Sequence, residues 1–148
     1  MIDLKSVLAM WEIDTTIDEF NLDEASRDTA KLHSKYLQMH SLAKLQYKKV
    51  DLAQKVLLKN KFLYYNGKLS QSEIEDFGWA YDPFNGLKIM KGDMTRYYES
   101  DEHIQTSEEK LEYWKVTVDT LKEILDNIKW RSSTIKNMID FKRFQAGG

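Results

Sequence analysis

Two long stretches of this chain contain neither proline nor glycine, although its 148 residues include one proline and six glycines. The stretches cover residues 1–66 and 93–146, and Pro83 and four of the glycines fall between them. Proline and glycine are the residues that most disfavour the interior of a helix. Their absence over such lengths predicts an all-α fold built mainly from long helices.

The composition is that of one folded domain over residues 1–148. Hydrophobic residues make up 42% and charged residues 31% of the chain, which is too apolar for a disordered chain and too charged for a membrane protein. The first residues are acidic and lack the apolar core of a signal peptide. Cysteine is absent, which excludes disulfides and thiolate metal sites. We therefore expect a protein of a reducing cell interior that is neither secreted nor bound to a membrane.

The N-terminal part, residues 1–67, is expected to hold two helices. The apolar spacing predicts a first helix over residues 4–11 and a much longer second helix over residues 23–65. Gly67 follows at the position where a left-handed residue commonly ends a helix. The second helix is therefore expected to stop there.

The remaining chain divides into a middle segment, residues 68–105, and a C-terminal segment, residues 106–148. A capping box at Ser70 predicts a short helix, after which the middle segment is irregular and rich in aromatic residues. Turn residues at 82–86 allow a short β-hairpin in it. A second capping box at Thr106 predicts the start of the last long helix.

Both long helices carry apolar residues at alternating steps of three and four, which is a heptad pattern. In the second helix a few members of this seam are polar, whereas eight of the nine seam positions of the last helix are apolar. Two such seams predict a helical hairpin in which the two long helices pack on each other. The seam of the second helix comprises Leu22, Ala25, Thr29, Leu32, Tyr36, Met39, Ala43, Gln46, Val50, Ala53 and Leu57. That of the last helix comprises Leu111, Trp114, Val118, Leu121, Leu125, Ile128, Ser132, Ile135 and Ile139.

Positive charge is concentrated in residues 44–68, which hold seven lysines and one acid, a net +6 in a chain of net charge −2. Helical projection places four of these lysines and one aromatic residue within a narrow arc nearly opposite the seam. Ammonium groups follow phosphates and aromatic rings stack on unpaired bases, so this lysine face suits single-stranded nucleic acid. An ordinary solvated helix surface is the alternative. The lysine face comprises Lys44, Lys48, Lys55, Lys59 and Phe62, with Tyr65 at its border.

Several apolar residues of the last helix lie off its seam, and they provide more apolar surface than one helical hairpin hides. Small chains with such long helices often complete their cores between subunits. We therefore expect the protein to form a homo-oligomer. The off-seam residues are Trp130, Met138, Phe141 and Phe144.

Signatures of catalysis are missing from the sequence. It contains no glycine loop of the type that binds phosphate, and no serine, histidine and aspartate set stands out. His33 and His40 are separated by two helical turns, about 10 Å, which is too far for them to share a metal ion unaided. The sequence predicts a non-enzyme without a metal or a cofactor.

Three ordered blocks of sequence resemble the UvsY family of recombination mediators of T-even-like phages. Residues 58–67, LKNKFLYYNG, resemble the family pattern L-K-x-[RK]-x-x-Y-Y-x-G. Residues 34–41, SKYLQMHS, resemble S-K-[WY]-L-x-x-H-S. Residues 135–147, IKNMIDFKRFQAG, resemble I-K-x-[IM]-x-D-x-[RK]-x-F-x-A-G. The middle of the chain, residues 68–130, matches the family in little more than length.

The resemblance implies a function that charge and spacing do not. It implies a ring-like homo-oligomer, a hexamer or heptamer, that binds single-stranded DNA in the cytoplasm of the infected bacterial host. It further implies that the protein helps to load a RecA-like phage recombinase onto strands covered by the phage single-stranded DNA-binding protein, with no cofactor. The DNA-contacting basic pair of the family corresponds to Lys59 and Lys61, and both side chains are expected to point away from most of the seam.

The C-terminal block corresponds to the assembly region of that family. The residues expected to hold the oligomer together are Trp130, Ile135, Met138, Ile139, Phe141 and Phe144.

Two other functions remain compatible with the residues themselves. One is an oligomeric helical scaffold whose lysines are merely solvated. The other is a protein that binds structured RNA or an acidic protein, because charge alone does not distinguish among polyanions.

Overall fold

The computed structural model describes residues 3–147, and these residues form five α-helices and one short 3₁₀ turn, with no strand among them. None of the described helices is both long and apolar enough to cross a membrane. The all-α prediction is confirmed. The helices are α1, Leu4–Asp14; α2, Leu22–Tyr65; α3, Gln71–Phe77; α4, Met94–Glu99; and α5, Glu102–Gln145; the 3₁₀ turn, Lys91–Asp93, precedes α4.

The chain forms two compact units. The first unit comprises residues 1–45 and 114–148, of which 3–45 and 114–147 are described, and the second is residues 46–113. Helices α2 and α5 have 44 residues each and contribute to both units. Both boundaries of the predicted division into residues 1–67, 68–105 and 106–148 lie inside the second unit. The three segments therefore share a core and are not separate units.

The first unit is built from α1, the N-terminal part of α2 and the C-terminal part of α5. Its core confirms the predicted packing of the two seams, because buried residues of α2 and α5 form one cluster with Val7 of α1. At one end Met39 lies with Trp114, and at the other Leu32 lies with Arg131, so the two long helices run antiparallel in this unit. The buried members of the cluster are Val7, Tyr36, Ala43, Leu121, Ile124, Leu125 and Ile128.

Tyr36 is the centre of the first unit, and none of its surface is exposed. Its ring packs nearly perpendicular to that of Trp11, with 5.4 Å between the ring centroids. Its hydroxyl donates a hydrogen bond of 2.8 Å to Oδ2 of Asp14, which also pairs with Lys35 at 2.6 Å. Burial raises the pKa of Asp14, but these two hydrogen bonds and the charge of Lys35 lower it more, so the carboxyl is ionised at neutral pH.

At this point of the α5 seam the buried residue is Arg131, and not Ser132 as the heptad pattern predicts. Ser132 is exposed, whereas Arg131 is 7% exposed and donates hydrogen bonds to the carbonyl oxygens of Asp14, Thr15 and Thr16. A helix leaves its last carbonyl groups without partners, and a cation satisfies both their lone pairs and the negative end of the helix dipole. The guanidinium therefore holds the end of α1 and the turn after it.

The second unit contains the end of α2, which stops as predicted at Gly67. The N–H of Gly67 donates to the carbonyl of Tyr64, the N–H of Lys68 donates to that of Leu63, and Gly67 has a φ of 67°. This double hydrogen bond is a Schellman motif, which requires the left-handed conformation at its glycine. The predicted capping box at Ser70 is also present and opens α3.

Helix α5 begins five residues earlier than the capping box at Thr106 predicts. Asp101 caps it, because its Oδ1 accepts a hydrogen bond of 2.9 Å from the N–H of Ile104. Thr106 lies inside the helix and donates its hydroxyl proton to the carbonyl of Glu102. The prediction of a helix start at Thr106 is therefore wrong. Asp101 is held in place by other partners of its carboxylate, which a local capping pattern does not reveal.

The described middle segment forms no β-hairpin at residues 82–86, where the sequence allowed one. Asp82 accepts hydrogen bonds from the N–H groups of Phe84 and Gly86, and Asn85 and Gly86 have φ values of 51° and 78°. The predicted turn is therefore present, but the chain continues into the 3₁₀ turn and α4. Aromatic rings of this segment pack on Tyr64, Tyr65 and the α3 residue Ile74 to form the core of the second unit.

We expect Tyr36→Ala to lower the free energy of unfolding by about 3–5 kcal/mol, because it leaves a large cavity beside Trp11. Tyr36→Phe removes only the hydroxyl and is expected to cost about 1 kcal/mol. Urea denaturation followed by circular dichroism measures both. Leu45→Ala is the control, since Leu45 is 69% exposed on the same helix. Equal losses for Tyr36→Ala and Leu45→Ala would contradict this description of the core.

Candidate nucleic-acid interface

The lysine face of α2 is exposed, as its position opposite the seam predicts. Lys44, Lys48, Lys55 and Lys59 all have exposed side chains. Asp51 is the one acid of this face, and its Oδ2 lies 3.8 Å from the ammonium of Lys48 and 3.3 Å from that of Lys55. Exposed ion pairs of this kind contribute little energy, so both ammonium groups remain available to an anionic ligand.

Phe62 adds an aromatic ring to the lysine face in the second unit. At 100° per residue, Lys55, Lys59 and Phe62 fall within an arc of about 60°. The Phe62 side chain is 51% exposed. A ring beside two cations on one helix face can offer a stacking surface to a base whose phosphates the lysines attract. The structure thus brings these three residues of the candidate site together.

Lys61 is buried, with 2% of its surface exposed. Its ammonium lies 2.9 Å from Oδ2 of Asp101, 3.0 Å from Nδ1 of His103, and 3.8 Å from the centre of the Trp79 ring. The ammonium is therefore enclosed by a carboxylate, an imidazole and an indole face. The expectation that Lys61 points away from the buried side of α2 is wrong, and in this fold its ammonium does not face solvent.

Tyr65 is also buried, with 9% of its surface exposed, and is not an aromatic residue on the border of the lysine face. Its hydroxyl donates a hydrogen bond of 2.6 Å to the same Oδ2 of Asp101 that pairs with Lys61. A sequence signal for the burial of Lys61 existed. Steps of four and three from the seam residue Leu57 lead to Lys61 and Tyr64, so continuing the heptad pattern places Lys61 on the buried side.

The carboxylate of Asp101 is the centre of this Lys61 cluster. Burial raises its pKa, but hydrogen bonds from Tyr65, the N–H of Ile104 and Lys61, together with the charge of Lys61, lower it further than burial raises it. The pKa therefore lies below the ordinary value and Asp101 is ionised at neutral pH. A buried carboxylate with three donors, one of which is its paired cation, is typical of a group that stabilises the fold.

The residues predicted to hold an oligomer together differ in exposure. Ile135 is 2% exposed and belongs to the core of its own unit, while Met138 and Ile139 are half-buried. The prediction that Ile135 offers surface to another subunit is therefore wrong. Exposed side chains remain at Trp130, Phe141 and Phe144, with exposed fractions of 71%, 60% and 77%.

No group of histidine, aspartate and glutamate side chains that could hold a metal ion occurs within residues 3–147. His33 and His40 are both half-buried on α2. Burial lowers the pKa of His40, and the charges of Lys44 and Lys122 lower it further, so that its imidazole is neutral at pH 7.

Comparison with known proteins decides the family. The sequence profile described as "Recombination, repair and ssDNA binding protein UvsY" matches residues 10–148. The chain belongs to the UvsY family. The recognition from three sequence blocks is thereby confirmed, and the assignment to recombination, repair and single-stranded DNA binding with it.

A related sequence and two solved structures support the same assignment. The chain is 28% identical over 134 residues to the recombination protein uvsY of Enterobacteria phage T4, with 90% of each chain covered. It resembles a crystal structure of the bacteriophage T4 recombination mediator protein UvsY, lattice type II, with a TM-score of 0.82 at 26% identity over 99% of both chains. The lattice type I structure matches with a TM-score of 0.78 at 26% identity, over 93% of this chain and 97% of that one. The UvsY fold therefore extends over the whole described chain.

We expect Lys61→Ala to lower the free energy of unfolding by about 3–5 kcal/mol, because removal of one partner of a buried ion pair leaves Asp101 buried and uncompensated. Lys61→Met keeps most of the side-chain volume. It is expected to lower the free energy of unfolding by a similar amount if the missing charge is the cause. The matched control is Lys59→Ala, two residues away and exposed, which should change stability by no more than about 0.5 kcal/mol. Urea denaturation distinguishes them, and equal stability of the Lys59 and Lys61 variants would contradict the buried pair.

The Asp101 carboxylate predicts a dependence of stability on pH. Its pKa in the folded protein is lowered, so its contribution is complete above about pH 4 and is lost as the pH falls through the lowered pKa. Asp101→Asn lacks this contribution at every pH. We therefore expect the difference in free energy of unfolding between parent and variant to be largest at neutral pH and to shrink below about pH 4. A difference that stays constant in urea titrations down to about pH 3 would count against the assignment.

Proposed function

We propose that this protein is a recombination mediator that binds single-stranded DNA through the lysine face of α2. Its membership of a family described by recombination, repair and single-stranded DNA binding supports this role. The observation that carries the proposed site is the exposed set of Lys55, Lys59 and Phe62 on one side of α2. Cations for phosphates and a ring for a base are what a sequence-independent single-strand binder requires.

Within this proposal, Lys59 and Lys61 have different roles. Lys59 is exposed and contacts phosphate, whereas the buried Lys61 supports the end of α2 on which Lys59 and Phe62 stand. Replacing Lys61 would then weaken DNA binding by loosening the second unit. Replacing Lys59 would weaken it by removing a charge and leave the fold intact.

We infer the partners of this protein from its family, and not from a surface of the chain. The crystallised relative is described as a recombination mediator protein. On that basis we infer that the protein acts in the cytoplasm of an infected bacterium. There it helps to load a RecA-like phage recombinase onto strands covered by the phage single-stranded DNA-binding protein. It does so as a homo-oligomer, a hexamer or heptamer, and without catalysis or a cofactor of its own.

A ring of identical lysine faces would strengthen binding without any additional contact. Each face alone offers few charges, but one DNA strand that engages several subunits gains affinity through effective concentration. Such multivalent binding suits a protein that must compete for strands already covered by another protein.

We expect the double variant Lys55→Ala with Lys59→Ala to bind single-stranded DNA more weakly and with a smaller salt dependence. Each lost phosphate contact should reduce the slope of log affinity against log salt concentration by about 0.7 per binding site. Fluorescence anisotropy with labelled oligonucleotides at several salt concentrations measures the slope. The matched control is Lys88→Ala with Lys91→Ala, which removes the same charge from exposed lysines of the same unit outside α2.

The same titration tests the aromatic contact. Phe62→Ala should lower affinity by about 1–3 kcal/mol for a stacked base while leaving the salt slope unchanged. Duplex DNA of the same length should bind more weakly than the single strand, because its bases are already stacked. Equal slopes for the two double variants, or equal affinities for duplex and single strand, would place the contacts elsewhere.

A further inference from the structure

Asn66 extends the lysine face beyond the last residue of α2. Its N–H donates a hydrogen bond to the carbonyl of Phe62, so the chain at Asn66 continues the last helical turn. At 100° per residue, Lys59, Phe62 and Asn66 fall within an arc of about 60°. Asn66 is exposed, and it therefore lies on the same side of α2 as the proposed DNA contacts.

The side-chain amide of Asn66 joins this face to Tyr98 of α4. Its Nδ2 donates one hydrogen bond of 2.7 Å to the carbonyl oxygen of Phe62 and another of 3.1 Å to the hydroxyl oxygen of Tyr98. A carbonyl oxygen accepts hydrogen bonds and never donates them, so the orientation of the amide is fixed. Both of its N–H bonds then have partners within the protein.

One donor and one acceptor remain free where Asn66 meets Tyr98. The Tyr98 oxygen accepts from Asn66, which leaves its own O–H proton for another acceptor. The Oδ1 of Asn66 has lone pairs that accept hydrogen bonds. No described residue accepts from that hydroxyl or donates to that amide oxygen. The two groups are therefore presented side by side, one helical turn from the exposed ring of Phe62.

Tyr98 is held in position from the buried side of the second unit. Its ring is nearly perpendicular to that of Tyr65, with 5.3 Å between the ring centroids. Tyr65 is in turn fixed by its hydrogen bond to Asp101. The Tyr98 hydroxyl is thus preorganised, so a ligand that accepts its proton gains a hydrogen bond with little loss of side-chain freedom.

An unpaired nucleic-acid base is the ligand that matches this donor and acceptor. The Watson–Crick edge of each of the four DNA bases carries an N–H donor next to an acceptor atom. In a duplex both are occupied by the opposite base, whereas in a single strand both are open to a protein. A phosphate of the DNA backbone has acceptors alone, so it cannot donate to the amide oxygen of Asn66.

We propose that Asn66 and Tyr98 bind the Watson–Crick edge of the base that stacks on Phe62. An N–H of the base donates to Oδ1 of Asn66, and the Tyr98 hydroxyl donates to the adjacent acceptor of the base. This inference rests on the proposed function and identifies what restricts the lysine face to unpaired strands. Because every base satisfies the pair, the contact selects single strands over duplex without selecting a sequence.

Removal of the Tyr98 hydroxyl tests the contact while keeping the ring that packs on Tyr65. Tyr98→Phe should weaken the binding of a single-stranded oligonucleotide about 3-fold to 10-fold, the effect of one neutral hydrogen bond. The salt slope should equal that of the parent protein, because no charge is lost. Duplex affinity should not change. Tyr97→Phe is the matched control: it removes the same group from the neighbouring residue, whose ring packs on Phe84, and should leave both affinities unchanged.

A chemically modified strand tests the base edge on the parent protein itself. In an oligonucleotide of N3-methylthymidine, a methyl group replaces the N–H of the Watson–Crick edge, while the phosphates and the face of the ring remain. The parent protein should bind this strand about 3-fold to 10-fold more weakly than oligo(dT). Asn66→Ala lacks the acceptor for that N–H and should bind the two strands equally. Fluorescence anisotropy measures all of these affinities.

The outcomes separate this contact from the DNA-binding function. A parent protein that binds no single-stranded DNA would overturn the proposed function and this inference with it. A parent protein that binds oligo(dT) and N3-methylated oligo(dT) equally, yet is weakened by Lys55→Ala with Lys59→Ala, would overturn this contact alone. Equal affinities of Tyr97→Phe and Tyr98→Phe for single strands would overturn it too, as would an equal loss of affinity for duplex in Tyr98→Phe.

Discussion

The ion pair between Lys61 and Asp101 links the end of α2 to the residue that caps α5, and the second unit is arranged around it. Burying two charges costs several kcal/mol per ion, and only a fully partnered pair recovers that cost. Here Tyr65 and the N–H of Ile104 complete the carboxylate, while Trp79 covers the ammonium. The same aspartate caps α5, so one side chain determines both where that helix starts and what it faces.

This arrangement separates the two basic residues of the family pattern, because Lys61 is buried and Lys59 is exposed. Lys59 and Lys61 are two residues apart on a helix, and such residues point to nearly opposite sides. One of them can contact a phosphate on the surface while the other stabilises the core. Two residues of the same charge therefore need not share a function at these positions, and a loss of DNA binding after joint replacement would not by itself identify a contact.

Opposite sides of helix α2 have different roles. One side, centred on Tyr36 and Ala43, is buried against α1 and α5 in the first unit. The opposite side carries the exposed lysines and Phe62. The residues proposed to bind DNA are therefore different from those that form the core, so DNA can bind α2 without disturbing its packing.

The chain's sequence by itself determined the long helices, the seam that includes Tyr36, the helix end at Gly67 and the exposed lysine face, because these depend on local residue preferences and on helical periodicity. Only the tertiary structure decided that Arg131 is buried, that Asp101 opens α5 and that Asp101 is the partner of Lys61. Each of these charges is stabilised by a group more than ten residues away in the chain. No local pattern carries such information, since the free energy of a charged side chain depends on which partners the fold brings within hydrogen-bond distance.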